Sequence, residues 1–508
     1  MRIKNAFRNS FVSVLSQIIL IVVGFFSQRV LNLKMGEELV GMNSVISNII
    51  SFLSVTELGL STAVIYHLYG CLAQKDEARI ASLMNLYRKA YTVFALVIAV
   101  LGLCVMPFVH IFLKDNTFSL EYVRLIYGLW LLRTVFSYLL SYKRSILIAD
   151  QQEYIVSIGL LLANVLNYSL IIVIVEFWQN YALALALNIV VEVTLNLWIS
   201  RYVNKKYGFL KKLRKDPLQK DIVGKVFGDI KNVFVTRLAS RFLFSTDSLI
   251  MASFVNVGIV GLYSNYGMIT QSLTNIVLSL VNAIQPSVGN MCVEGDHEKE
   301  YGVLRQITFI FFWIASFSSA SLLALMTPFV TDLWLGETYA LDNIIIIWCV
   351  INFFMNIIGL PLGMMLSVAG LFRKERNIYV LSAIVNLVVS LVLVVHFGII
   401  GVLIGTLVAY IVQIVTRIKV VVRDYLHQKY TIYVMELVQY MILAIVETTV
   451  TYIICNRIYQ SGSFVHFVLM GVVCIVISNG MNLAIYCRSW RLKSLLSMAV
   501  GLIKNSKK

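Results

Sequence analysis

The chain has 508 residues, of which 59% are hydrophobic and only 13% are charged, and its mean hydropathy is +0.83. These values lie outside the range of soluble globular proteins and predict an integral membrane protein. Apolar runs of about 20 residues recur from end to end, which excludes a soluble domain with one anchor or with a cleaved signal peptide.

The net charge of +16 reflects membrane topology rather than nucleic-acid binding. About 34 of the 42 Lys and Arg residues fall in alternate predicted loops and at both termini, which is the positive-inside pattern. We therefore expect both termini in the cytoplasm and no nucleic-acid partner. The seven cysteines are scattered without metal-binding or redox spacing, and we interpret them as reduced packing residues.

The apolar runs predict fourteen spans. In chain order they cover about 11–33, 40–66, 90–113, 122–142, 155–175, 181–200, 232–255, 261–288, 304–329, 343–367, 379–397, 400–421, 434–456 and 465–486. The one long hydrophilic connection is basic and has the apolar spacing of a surface helix. The predicted domains are an N-terminal lobe of six spans (1–203), a basic cytoplasmic linker (204–231), a C-terminal lobe of six spans (232–430), two additional spans (431–487) and a basic cytoplasmic tail (488–508).

An internal repeat supports this division of the chain. The segment SQRVLNLKMGEELVGMNSVISNII of the first hairpin aligns, with a two-residue gap, to TDSLIMASFVNVGIVGLYSNYGMIT of span seven. The alignment places the Val-Gly pair at 40–41 on that at 260–261, and Arg29 against Asp247. Both copies start from the cytoplasm, which indicates two halves related by an axis along the membrane normal.

Polar residues share one face of several predicted spans. They are Tyr181, Asn188, Glu192 and Asn196 on span six; Asn265, Ser272, Asn275, Ser279 and Asn282 on span eight; and Asn43, Ser47, Ser51 and Ser54 on span two. Small polar residues also pack helices together in lipid, at about 1 kcal/mol per contact, so each residue has two explanations. The pattern over three spans favours a wet cavity, with Asn188, Asn196 and Asn275 as candidate ligands.

Arginines at membrane depth are the stronger signal, because a central charge costs about 2.5 to 3.5 kcal/mol on insertion. Arg133 lies near the middle of span four, which favours a cavity role, the alternative being an internal ion pair. Arg237 and Arg241 share one face of span seven but could instead snorkel to the headgroups. Arg29 is a further candidate substrate ligand, although it lies near a span end, where snorkelling is favoured.

Two intramembrane carboxylates are candidates for ion coupling. Asp247 lies deeper than the arginines of span seven, and is either their partner or a protonatable group. Glu192 is central in span six and has no mate in its own helix.

The sequence lacks the signatures of an enzyme. No phosphate-binding Gly-rich loop is present, the six His form no ligand cluster, and no non-cytoplasmic loop is long enough for a catalytic domain. We therefore expect a transporter without a cofactor.

Four segments resemble one transporter family. They are DSLIMASFVNVGIVGLYSNY at span seven, ELGLSTAVIYHLYGCLAQKDEARI after span two, YKRSILIADQQEY after span four and AIQPSVGN closing span eight. Together with the topology, they resemble the polysaccharide-transporter branch of the multidrug/oligosaccharidyl-lipid/polysaccharide exporter superfamily, the bacterial O-antigen and capsule flippases. The resemblance implies an all-α polytopic membrane protein with a MATE-like fold: two six-helix lobes around a central cavity, plus two C-terminal helices.

The resemblance also implies a function. Members move undecaprenyl-diphosphate-linked oligosaccharides from the inner to the outer leaflet of the bacterial cytoplasmic membrane, driven by an H⁺ or Na⁺ gradient or by consumption of the product. Here Arg133, Arg237 and Arg241 would contact the diphosphate, and the Asn, Ser and Tyr stripes would suit sugar hydroxyls. Membrane lipids, a polysaccharide polymerase and a chain-length regulator are the implied partners.

Three alternatives remain open at this point. A lipid II flippase would also need a cationic cavity and fourteen spans. A MATE-type multidrug or cation antiporter would share the fold, but this interior carries more Arg than carboxylate. A membrane polysaccharide polymerase is the least favoured, since it needs a sizeable external loop.

Overall fold

Backbone polar groups inside a bilayer find no water, so each span must satisfy its own N–H and C=O groups, as an α-helix does. The computed structural model describes residues 2–54, 65, 68–69, 71–72, 74–115, 117–150, 152–212, 238, 246–292, 295–489 and 491–492, with side chains from residue 15 onwards. Within these ranges the regular elements are helices joined by short turns, and no strand is present. The described chain divides into two compact units, Met1–Asn265 and Tyr266–Lys508.

The first unit is built on five transmembrane-length helices, the start of a sixth and shorter pieces. In chain order they are α1 (Arg2–Leu53), α2 (Glu77–Val105) with a 3₁₀ turn (Met106–Phe112), α3 (Leu120–Ser141), α4 (Arg144–Ala149), α5 (Glu153–Trp178), α6 (Tyr181–Lys206), α7 (Phe209–Lys212) and the start of α8 (Val257–Cys292). Helix α6 packs against both α3 and α5, and α1 packs along α5. The interior faces of α3 and α6 are thereby brought together.

The second unit continues from α8 with six more helices. They are α9 (His297–Pro328), extended by a π-helical turn (Phe329–Trp334), α10 (Asn343–Val368), α11 (Phe372–Phe397), α12 (Ile399–Ile418), extended by a π-helical turn (Lys419–Tyr425), α13 (Tyr430–Ile458) and α14 (Phe464–Tyr486). Helix α9 packs against α10, α13 and α14, so the last two helices are docked on it.

Twelve helices of the described residues are long and apolar enough to cross a membrane, against fourteen predicted spans. Predicted spans one and two are merged in α1, which is broken only at Gly36, where φ is +83°. Predicted span seven, 232–255, lies mostly outside the described residues. The predicted domain boundary at 231 also lies outside them, whereas the two units divide within α8.

Several helices extend beyond the apolar runs that predicted them. Helix α2 begins at Glu77 rather than near 90, and α9 begins at His297 rather than near 304. Each is capped by an aspartate: Asp76 accepts from the N–H of Arg79 at 3.0 Å, and Asp296 from that of Lys299 at 3.1 Å. Each of these helices therefore begins at its N-cap residue and not at the start of its hydrophobic stretch.

Small and polar residues hold the antiparallel hairpins together. Between α11 and α12, the Asn386 amide donates to Thr406 Oγ1 at 3.0 Å. Gly405 of α12 lies so close to Ser390 that a Cβ would overlap the serine side chain. Close approach and interhelical hydrogen bonds replace the hydrophobic effect, which does not favour helix association within lipid.

Candidate functional site

An ion pair joins two transmembrane helices of the first unit. Arg133 on α3 places Nε 2.6 Å from Glu192 Oε2 on α6, and each side chain is 22% exposed. Glu192 thus has the mate that its own helix lacks. The pair is half-buried rather than sealed, so both charges can be reached by another ligand. Of the two sequence-based alternatives for Arg133, this conformation shows an ion pair, and the cavity role stays a prediction.

A chain of side-chain contacts continues from this pair towards α1. The Arg133 guanidinium lies over the Trp130 ring, 5.3 Å from its centroid. Trp130 Nε1 donates to Asn43 Oδ1 at 2.8 Å, and the hydroxyl of Tyr181 donates to the same oxygen at 2.7 Å. Asn43 and Tyr181 belong to the polar stripes noted in the sequence, and here they fix the indole on which Arg133 rests.

A second basic group follows one turn further along α6. Arg144 donates to Asn196 Oδ1 at 2.7 Å, and the Asn196 amide donates to the Glu192 carbonyl at 2.9 Å. Lys143 donates to Ser200 Oγ at 2.7 Å and to an asparagine, Asn204, at 2.8 Å. Asn196 therefore positions a cation, a role that its place in the stripe did not reveal.

A cavity of about 340 Å³ opens beside Lys143. Its lining is basic and polar, and comprises Ala81, Met84, Asn85, Arg88, Tyr142, Lys143, Asn204 and Leu210. The positive-inside pattern predicts that these segments face the cytoplasm. Among the described lining residues there are two cationic side chains and no carboxylate, which suits an anion.

Asp150 anchors the basic segment to the end of α6. Its carboxylate accepts from Lys206 Nζ at 2.8 Å and from the Tyr207 hydroxyl at 2.6 Å. Burial, followed by the hydrogen bond to Asp150, raises the pKa of Tyr207 above its ordinary value. The tyrosine therefore stays protonated and keeps donating. Asp150, in the ADQQEY part of the family-like segment, thus helps to position the end of α6.

Two other asparagines from the predicted set lie in different surroundings. Asn188 is buried between α5 and α6, where its amide lies 3.2 Å from Asn167 Oδ1 once its N and O are exchanged. This is a helix-packing contact. Asn275 on α8 is half-buried and accepts a hydrogen bond from Gln271 of its own helix at 2.9 Å. Neither contact tests a role in sugar binding.

The remaining predicted residues are only partly described. Arg237 and Arg241 lie outside the described residues, and their assignment stays a prediction. Asp247 is described and is 9% exposed. Arg29 has an exposed side chain on α1, next to an amide cluster in which Asn32 and Asn265 exchange hydrogen bonds of 2.9 and 3.0 Å.

The two Val-Gly pairs aligned by the predicted repeat meet in space. A Cβ on Gly41 would overlap the carbonyl oxygen of Val257, and a Cβ on Gly261 would overlap that of Glu37. Only glycine permits this backbone approach of α1 to the start of α8.

One buried arginine was missed by sequence reasoning. Arg417 on α12 is 5% exposed, donates to the Gly359 carbonyl at 3.3 Å and lies 5.3 Å from the Tyr379 ring centroid. Its place near the end of an apolar run is typical of a snorkelling residue. No feature of the sequence distinguishes it from one.

Comparisons with solved structures establish the fold. The chain is similar to the lipid II flippase MurJ in an inward closed conformation, with a TM-score of 0.72 at 11% identity, over 94% of this chain and 99% of that one. It is also similar to an inward-facing multidrug resistance MATE transporter of the MOP superfamily, with a TM-score of 0.66 at 15% identity, over 80% and 97%. A MOP superfamily transporter from Pyrococcus furiosus gives 0.57 at 16% identity, over 84% and 97%.

The protein thus has the all-α polytopic fold of MurJ and MATE transporters, as predicted. No protein-family profile and no curated protein sequence matches the chain. The polysaccharide-transporter branch therefore stays a prediction.

Proposed function

We propose that the protein is a flippase that moves undecaprenyl-diphosphate-linked oligosaccharide units from the inner to the outer leaflet of the bacterial cytoplasmic membrane, with both termini in the cytoplasm. The observation that carries this proposal is the basic track in the first unit, running from the cavity beside Arg88 and Lys143, past Arg144, to Arg133. A diphosphate cannot enter hydrocarbon without a counter-charge, and arginine forks match its oxygens.

The partners described for the basic residues change along the track. Lys143 and Arg144 donate to neutral side chains of α6. Arg133 is paired with a carboxylate. A diphosphate would meet Lys143 and Arg144 first and compete with Glu192 for Arg133 afterwards.

This competition provides a coupling step. The diphosphate can take over the Arg133 guanidinium when Glu192 is protonated or otherwise neutralised, because a neutral carboxyl no longer holds the arginine. Proton binding at Glu192 would then favour substrate binding. Glu192, which the sequence predicts as a coupling residue, would thus act through one specific partner, Arg133.

The second candidate, a lipid II flippase, is favoured by the extent of the structural match. MurJ covers 94% of this chain, whereas the MATE transporter covers 80%. The same lipid diphosphate would be recognised by the same track, so the two functions differ only in the sugar. A MATE-type multidrug or cation antiporter is disfavoured because the described residues of the cavity lining include two cations and no carboxylate.

Complementation distinguishes these functions. The chain is expressed in three bacterial strains that lack a polysaccharide flippase, the lipid II flippase or a drug exporter, and each is scored for surface glycan, growth or drug resistance. We expect surface glycan to be restored. Co-expression of a cognate polymerase and chain-length regulator belongs in this test, since either is a proposed partner.

Restoration of growth without lipid II flippase would replace the oligosaccharide by lipid II as the substrate. Drug resistance as the only positive result would contradict a lipid-diphosphate substrate altogether. Arg133→Ala is assayed beside wild type, and the amount of membrane-inserted protein is quantified for both. Loss of complementation by the variant at an equal amount of protein links the result to the basic track.

A further inference from the structure

A buried carboxyl group in the C-terminal helix pair has no counterpart in the track just described. Glu447 lies on α13 and is 0% exposed. At 1.5 Å per residue it is about 25 Å from the start of the helix and about 16 Å from its end, so neither end offers it water. A bare carboxylate in this position would be strongly unfavourable.

Three helices converge on this carboxyl group with neutral polar side chains. The Asn482 amide of α14 donates to Glu447 Oε2 at 3.1 Å, and to Ser316 Oγ of α9 at 3.2 Å. Ser478 of α14 lies next to the same carboxyl. All four residues are fully buried or nearly so.

The register of α13 against α14 places a further neutral oxygen, that of the Thr451 hydroxyl, near the carboxyl group. The residues that face each other along the antiparallel helices are Glu447 with Asn482, Thr451 with Ser478, and Cys455 with Cys474, whose sulfurs are 3.8 Å apart. The Thr451 hydroxyl is thereby placed one turn from the carboxyl group, on the same face.

No cation of the described chain neutralises this group. The charged residues nearest to it along α13 are the exposed Arg457, about 15 Å away by helix rise towards the end of the helix, and Glu436, about 16 Å away towards its start, whose carboxylate is shared by Arg305 and Arg491. The charged turn Lys419–Tyr425 leads into the start of α13, further away still. The side chains of α9 and α14 that contact Glu447 are all neutral.

Four buried oxygen atoms of the cluster lack a hydrogen-bond partner: Glu447 Oε1, Thr451 Oγ1, Ser478 Oγ and Asn482 Oδ1. The Thr451 and Ser478 hydroxyls carry one donor hydrogen each, and protonation of Glu447 would add one more. A hard cation would coordinate several of these oxygens at once, and carboxylate, amide and hydroxyl oxygens are the ligands it prefers. One carboxylate balances one positive charge.

We propose that Glu447, Thr451, Ser478 and Asn482, with Ser316, form a sodium-binding site in the C-terminal helix pair. The site lies outside the basic track and does not depend on the proposed substrate. It would make the docking of α13 and α14 on α9 sensitive to sodium.

The test measures thermal unfolding of the purified full-length protein in detergent, at about pH 8, where protons compete least for a carboxylate. Sodium chloride is compared with potassium and choline chloride at equal ionic strength. Sodium should raise the wild-type Tm by a few degrees, and Glu447→Gln should lose this rise, because a ligand that binds only the folded state stabilises it. Glu337→Gln, an exposed Glu→Gln change in the same unit, should keep the rise.

A wild-type Tm that does not respond to sodium, or responds equally to potassium, overturns the sodium site. So does a sodium response that survives in Glu447→Gln. A Tm that depends on pH but not on sodium would leave Glu447 as a proton site only, and also overturns the proposal. Should Glu447→Gln fail to fold, Thr451→Val serves instead: loss of one ligand oxygen should weaken ²²Na⁺ binding, and unchanged binding contradicts the site. None of these readouts involves export, so failure of the proposed function leaves them unaffected.

Discussion

Two carboxyl groups in the transmembrane helices of this protein have opposite surroundings. Glu192 in the first unit has an arginine at 2.6 Å and remains 22% exposed, whereas Glu447 in the second unit is completely buried among neutral side chains. A charge that is paired and partly exposed can exchange its partner for a ligand at modest cost. A charge that is buried without a counter-charge must be neutralised from outside the chain. The first arrangement suits a substrate site and the second suits an ion site.

The largest effect is expected from removing the arginine of the exchangeable pair. Arg133→Ala should reduce export in the complementation assay by about 10- to 100-fold, because a charge-assisted hydrogen bond to phosphate contributes about 1.5 to 3 kcal/mol. Arg133→Lys keeps the charge without the fork and should be intermediate.

The double variant Arg133→Ala/Glu192→Gln separates binding from folding. It removes the carboxylate that Arg133→Ala leaves without its partner, and should recover stability without recovering export. Restored export in the double variant would mean that Arg133 only neutralises Glu192 and does not contact substrate.

The close approach of α1 and α8 should stabilise the first unit independently of its ion pair. Gly261→Ala places a Cβ against the Glu37 carbonyl and should lower stability by about 1 to 3 kcal/mol, which thermal unfolding in detergent would measure. Gly267→Ala in the same helix has open space around it and is the matched control. Equal Tm values for the two variants would contradict the close approach of α1 and α8.

Glu192→Gln tests the exchange of partners directly. The amide carries no charge, so it should hold the Arg133 guanidinium less strongly and leave it to the diphosphate. A partly exposed pair is worth at most about 1 kcal/mol, so the change in export should not exceed roughly fivefold. Export by wild type and variant is compared at equal amounts of membrane-inserted protein; identical export would remove Glu192 from the exchange of partners.

The smallest effect is expected at Asn188. Asn188→Ala removes an interhelical amide contact worth about 0.6 kcal/mol, and export should be almost unchanged. Asn196→Ala, which releases Arg144, should reduce export more. A stronger export defect at Asn188 than at Asn196 would indicate that Asn188 contacts substrate in another conformation.

The fold could be predicted because apolar runs of span length dominate this sequence, and backbone hydrogen bonding makes each of them a helix. The individual charges Arg133 and Glu192 were also recognisable, since a charge at membrane depth is costly. Their pairing was not, because it depends on how α3 and α6 are aligned along their lengths.

Other features had weaker signals. Asn188 and Asn196 share a stripe, yet one packs α5 against α6 and the other holds Arg144. Glu447 did have a signal, a lone carboxylate inside the apolar run MILAIVETTVTYIIC, but its neutral neighbours come from two other helices. Arg417 had none that separates it from a snorkelling residue.

The central claim, that the basic track carries a lipid diphosphate, is tested most directly in liposomes containing the purified protein. Transbilayer movement of a fluorescent undecaprenyl-diphosphate oligosaccharide is compared with that of an undecaprenol-linked oligosaccharide lacking phosphate, for wild type and Arg133→Ala. We predict that wild type moves only the diphosphate lipid and that Arg133→Ala moves this lipid about 10- to 100-fold more slowly. Equal movement of both lipids by wild type, or undiminished movement by Arg133→Ala, would contradict the account.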